Sequence, residues 1–162
     1  MIRHIGVKQI NAKAMTRKEY NEMRGWTVPA DENPDDAGYL VEYIDGGQSN
    51  HKDFAGYISW SPANVFERAY RQTVGMTFGM AIEAMKQGAK VARAGWNGKG
   101  MFIYYVPSAS YQAQTGVAKS YFGDAAMVPY NAYMAIKNVD DTVSTWVPSV
   151  NDCLAEDWTV MQ

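Results

Sequence analysis

"MTFGMAIEAMKQGAKVARAGWNGKGMFIYYV", residues 76–106, changes its hydrophobic pattern partway, and that change decides the fold class. Thr77 stands at an N-cap position, Phe78, Ile82 and Met85 follow at i, i+4 and i+7, and Gly88 is a terminator. A short helix is predicted. Beyond it, "KVARAGW" (90–96) and "GMFIYYV" (100–106) read as strands joined by a glycine-rich turn. A hairpin corner needs only the glycines. Trp96, Asn97 and Lys99 are further groups placed on it.

Working toward the C-terminus, "AYMAIKNV" (132–139), "TVSTWVP" (142–148) and "DWTVM" (157–161) are the next strands. The pair Asp140–Asp141 marks a hairpin between the first two, without the favoured glycine. "SVNDCLAE" is a short turn or helix before the last strand. Residues 107–129 form an irregular insert rich in Ser, Ala, Gly and Tyr, of a length more often functional or oligomeric than idle.

Toward the N-terminus the same grammar recurs. Thr16 and Glu19 have capping-box spacing, a helix runs through Tyr20 and Met23, and Gly25 ends it. "VPADENPDDAG" (28–38) is a solvated loop. "YLVEYI" (39–44) and "GYISW" (56–60) are strands around a long hairpin loop. Ser61 as N-cap and Pro62 at the first position open a second helix with a buried stripe of Val65, Phe66, Ala69 and Tyr70. The boundary falls in "QTVG" (72–75). The expectation is an α+β protein of two small units, 1–73 and 74–162, each with antiparallel strands and short capped helices.

Several function classes drop out. Hydrophobic residues are 47% and charged ones 20%, which supports a packed core rather than disorder. No window approaches the roughly 18 uninterrupted apolar residues of a membrane helix, and "MIRHIGVKQINAKAM" lacks a signal peptide's apolar block, so a soluble chain is expected. With a net charge of −2 and dispersed Lys and Arg, there is no basic stripe for extended nucleic acid. A small anionic ligand needs only one or two basic groups. The single cysteine, Cys153, fits a reducing compartment and reads as a small buried hydrophobe.

Catalytic and metal constellations are equally sparse. His4 and His51 belong to no metal-spaced motif, no cysteine pair exists, and "GWNGKG" is not a Walker loop, so neither metal nor cofactor is expected. The acidic pairs Asp35–Asp36 and Asp140–Asp141 sit in turns. The chain does not read as an enzyme. Among 5 Trp and 11 Tyr, most must be core, Trp60 and Tyr70 included. Trp96 differs because it ends a strand where Gly98 and Gly100 would let a ligand approach the backbone. Asn97 both donates and accepts, and Lys99 meets an anion. The competing reading is a hairpin corner whose Trp folds onto the sheet.

The run 76–106 and the ending "CLAEDWTVM" (153–161) resemble the second type of the Thoeris anti-defence family of phage proteins. The shared pattern is a helix of "FGxAIEAMKQG" type, a strand ending "ARxGWNGKGMF", a variable insert, a Trp-bearing strand and a "DxLAEDW" finish. It spans residues 74–162. The first unit looks like a leader found before this domain in phage and prophage proteins, and that likeness carries no function.

The resemblance implies a molecular sponge acting in the cytoplasm of an infected bacterium. Such proteins bind cyclic ADP-ribose isomers, and in some members cyclic dinucleotides, without cleaving them, so that Thoeris-type or CBASS-type effectors stay silent. It implies a homotetramer with pockets between subunits. The expected ligand-binding residues are Phe78, Arg93, Trp96, Asn97, Lys99, Met101 and Asp157. An aromatic ring would stack on the base, Arg93 or Lys99 would meet phosphate, and Asp157 a ribose. Phe78 would add an apolar wall beside a helix N-terminus. The alternative is an interaction module that grips a host protein through the aromatic-rich insert.

Overall fold

The computed structural model describes residues 1–4 and 6–162. The chain divides into two compact units, Met1–Arg71 and Gln72–Gln162, and both are α+β with antiparallel sheets.

The first unit is built on a three-stranded sheet of order β1 (Ile10–Ala14), β2 (Gly38–Tyr43), β3 (Tyr57–Pro62), antiparallel throughout. Helix α1 (Arg17–Arg24) starts at the capping box: Glu19 N–H donates to Thr16 Oγ1 at 3.2 Å, and Thr16 N–H to Glu19 Oε2 at 2.7 Å. It stops at Gly25, whose φ of 69° is strained for any side chain. There the N–H groups of Gly25 and Trp26 bond the carbonyls of Glu22 and Asn21 in the Schellman arrangement. Tyr20 from the helix packs on Leu40 and Ile58 from the sheet, with Met15, Met23, Phe54 and Trp60 around them. The strand β1 has no counterpart in the sequence reading. All but its first residue are exposed, so no burial-driven alternation marks an edge strand held by pairing with β2.

Helix α2 (Ala63–Ala69) departs from expectation. Ser61 does not cap it, because β3 runs on to Pro62 and pairs Ser61 with Tyr39. The predicted stripe also fails. Val65 and Ala69 are exposed, and the helix meets the unit through Phe66, stacked 4.0 Å from Tyr39 and 5.0 Å from Tyr70. Seven residues are too few turns to bury a full face.

The second unit opens with β4 (Val74–Met76) and α3 (Phe78–Lys86), followed by β5 (Lys90–Arg93) and β6 (Phe102–Val106). After an insert come β9 (Tyr133–Lys137), β10 (Val143–Trp146), α5 (Val150–Cys153) and β11 (Trp158–Met161). The six strands order as β10-β9-β6-β5-β11-β4, each pair antiparallel. The last strand therefore inserts between the first two of the unit. Helix α3, capped by Thr77 and ended at Gly88 (φ 93°), covers one face. Phe78, Ala81, Ala84 and Met85 bury against Val91, Ile103, Ile136 and Trp158. Ile82 is only partly buried, at the margin of that face.

The insert is not irregular. It carries β7 (Ala109–Gln112), α4 (Gly116–Phe122) and β8 (Met127–Tyr130), the two strands pairing as a hairpin around a helix capped by Thr115. Only Ala113 and Val128 are buried there, so no apolar pattern signals the strands in advance. The β9–β10 corner turns as predicted, with Asp141 adopting φ 65° where a glycine would be usual. Among the described residues no helix is long and apolar enough to cross a membrane.

Candidate ligand-binding site

The turn after β5 is shaped by Asp157. Strand β5 stops at Arg93, earlier than the predicted Trp96, because Ala94 N–H turns to the Asp157 carbonyl at 3.0 Å. Gly95 N–H then donates to Asp157 Oδ2 at 3.1 Å, and Trp96 N–H closes a turn onto the Arg93 carbonyl. The turn residues Asn97 and Lys99 are exposed and make no side-chain hydrogen bond or ion pair among the described residues. Gly100 completes the reversal at φ 75°.

Trp96 lies on an aromatic cluster. Its ring centroid stands 5.6 Å from Trp158 and 6.2 Å from Trp146, edge-on to both. Phe78 joins at 5.3 Å from Trp158 and 6.1 Å from Trp146. Three elements and the turn thus contribute one ring each, and Trp158, fully buried, anchors them through its Nε1–H to the Asp152 carbonyl at 3.0 Å. Edge-to-face contacts of this kind suit the ring quadrupoles. Trp96 packs against the core cluster, as the reading of a Trp folded onto the sheet expects, and is only partly covered. Phe78 is 8% exposed, so it buttresses the cluster and offers little wall to a ligand. Met101 is partly buried against the same cluster; a Cβ at position 98 would collide with its side chain and with Val139, which suits a glycine there.

Arg93 ends β5 and Asp157 immediately precedes its antiparallel neighbour β11, so the two meet, but they meet each other. Arg93 Nε donates to Asp157 Oδ1 at 2.8 Å and Nη1 to Asp152 Oδ1 at 3.0 Å. Those two bonds, Asp157 first, hold the guanidinium firmly protonated. The Arg93 bond holds Asp157 below the usual carboxylate range against the pull of burial, with help from Gly95 N–H. Burial pushes Asp152 up, yet bonds from Ser149 and Arg93 outweigh it and leave the carboxyl low. One cation faces two carboxylates here. Lys99 is therefore the uncommitted positive group of the turn.

A cleft of about 480 Å³ lies elsewhere in this unit, among Lys90, Phe102, Tyr104 and Lys137. None of the predicted residues lines it. Lys90 Nζ stands 5.6 Å over the Phe102 ring, and Phe102 pairs across the ladder with Lys137. The signal was present in "FIYYV", where Phe102 and Tyr104 fall on the face opposite Ile103. Alternation says which face they take, not that the face stays open.

Cys153 is exposed rather than buried, because α5 is a single turn held at its cap by Ser149 and Asp152. Among the described residues no group of three His, Cys, Asp or Glu side chains could hold a metal ion.

Residues 76–161 match the family described as the Thoeris anti-defense 2-like domain. The chain is similar to Thoeris anti-defense 2 of Bacillus phage SP01, with 40% identity over 87 residues, covering 53% of this chain and 94% of the relative. The match takes in the turn, the aromatic cluster and the Arg93 network. It leaves out the first unit.

Proposed function

Because the chain belongs to the Thoeris anti-defense 2-like family, we propose that it is a phage anti-defence protein that sequesters a cyclic nucleotide second messenger without cleaving it. The ligand class is a cyclic ADP-ribose isomer, with cyclic dinucleotides as a second class, and the place of action is the cytoplasm of the infected cell. The observation that carries this reading is the turn at Trp96, Asn97 and Lys99. It sets a partly open indole, an amide and an unpaired ammonium side by side on a rigid base of three rings. A base, a heterocycle edge and a pyrophosphate ask for those three groups.

The same network supports retention without turnover: the carboxylates beside the turn, Asp152 and Asp157, are both engaged by Arg93, which competes with any role for them as a general base. Arg93 then acts as a brace for the turn. Phosphate falls to Lys99.

The turn residues line neither the cleft at Phe102 nor that of the first unit, and in this reading a second copy of the chain closes the turn into a pocket. The insert supports such self-association. Tyr111, Val117, Tyr121, Phe122, Met127 and Tyr130 are all half or more exposed on one small arm. We take the assembly to be a homotetramer. The same arm also suits the alternative, a grip on a host protein. Titration calorimetry of the full chain with a cyclic ADP-ribose isomer tests the reading. Saturable binding lost in Lys99→Gln supports it, and no heat at any ratio overturns it.

A further inference from the structure

The first unit has a cleft of its own, about 580 Å³, which lies outside the family match. Helix α1 supplies one wall, with Arg17, Asn21 and Arg24 one turn apart on a single face, and β3 supplies the other through Tyr57 and Trp60. Two arginines stand over two tryptophan rings: Arg17 Cζ is 4.3 Å from the Trp60 ring centre, and Arg24 Cζ is 4.4 Å from that of Trp26. The two ends differ in charge. Arg17 is neutralised by Glu32 at 2.6 Å and Asp36 at 3.5 Å. Arg24 makes one bond, from Nη1 to the Asn50 carbonyl at 2.9 Å, and no ion pair among the described residues. Trp26 beside it is 53% exposed and Tyr57 is 46% exposed, so aromatic surface at this end stands open.

We propose that this cleft is a second ligand site and that it takes a nucleoside monophosphate. Its volume falls in the usual range for small-molecule sites of roughly 300–1,000 Å³. Arg24 offers a planar donor fork to the phosphate, and Trp26 or Tyr57 offers a face to the base. Glu32 repels phosphate from the Arg17 end and, with Asn21, supplies acceptor oxygens to an exocyclic amine. Charge therefore orients the ligand along the cleft. The frame is firm. Asn50 donates to the Ile58 carbonyl at 2.9 Å and accepts Ile58 N–H at 2.8 Å, fixing the loop that carries the Arg24 acceptor. The site is independent of the turn at Trp96, which lies in the other unit.

Calorimetry of the full chain with adenosine 5′-monophosphate tests this, with inorganic phosphate and adenosine as controls. The expected result is saturable binding of one nucleotide per chain, stronger than that of either control. Trp26→Ala should weaken it roughly 5- to 150-fold. Arg24→Gln should weaken it and flatten its salt dependence, with the thermal melt of both variants near wild type. Trp96→Ala should leave it unchanged. Four results would overturn the proposal: no binding by wild type, equal binding of phosphate alone, indifference to both Trp26→Ala and Arg24→Gln, or loss of binding in Trp96→Ala.

Discussion

Arg93 on β5 and Asp157 just before β11 are bonded at 2.8 Å across neighbouring strands, although 64 positions separate them in the chain. Asp157 also holds the Gly95 N–H, so one carboxylate ties the strand end to the turn that follows. Asp157→Asn should keep the fold and lower its melting temperature by several degrees, since half of the network survives through Asp152. Ligand affinity should fall with it if the turn needs this brace. A melt and a binding isotherm on one variant check both.

The same bond gives acid sensitivity a sign. Asp157 and Asp152 both titrate in the folded chain below their ordinary 3.8. The unfolded chain then binds more protons in that window, so stability rises with pH through it. The contribution should be complete above about pH 5 and lost as pH falls through the folded values, below about pH 4. Denaturant midpoints between neutral pH and pH 3 should fall on the acid side, and Asp157→Asn should fall less steeply.

Trp96 and Trp158 share a cluster but not a role. Trp158→Ala should cost about 3–5 kcal/mol or abolish folding, as expected for a wholly buried ring. Trp96→Ala should cost less, about 1–2 kcal/mol for its two edge contacts and partial burial. It should also cut nucleotide affinity roughly 5- to 150-fold. Equilibrium unfolding and calorimetry separate the two losses.

Asn97→Ala and Lys99→Gln touch exposed groups with no side-chain partner among the described residues, so stability should move by less than about 0.5 kcal/mol. Both should weaken ligand binding. Lys99→Gln alone should reduce its salt dependence, because it removes charge rather than an amide. Binding isotherms at low and high salt check this.

Much of this was legible in the residues because it depends on local chemistry. The Thr16 and Thr77 caps, the Gly25 and Gly88 stops and the Asp140–Asp141 corner each need only neighbours in sequence. The edge strand β1 and the β7–β8 arm were illegible for the opposite reason: they exist by pairing, and almost none of their side chains is buried. The site divided in the same way. The turn at 95–100 could be read as a place where Trp96, Asn97 and Lys99 come together. That Arg93 would be occupied by two carboxylates depends on β11 inserting beside β5, a crossover that no local pattern encodes.

The arm offers the test of assembly. Tyr121 is 82% exposed and stands 4.8 Å from the Phe122 ring. Replacing both with Asp should leave the monomer fold intact and shift light scattering from the proposed tetramer to smaller species. If it does so and nucleotide binding collapses, the pocket lies between copies. Unchanged scattering mass would point to the arm serving another partner.

Sequestration differs from cleavage in that the cyclic nucleotide is held intact. The direct measurement is to incubate the protein in excess with a cyclic ADP-ribose isomer, remove free ligand by filtration, then heat the protein and analyse what it releases. The expected result is depletion of the filtrate and recovery of unaltered ligand on heating. A filtrate still holding all the ligand, or a cleaved product in the heated fraction, would rule out sequestration.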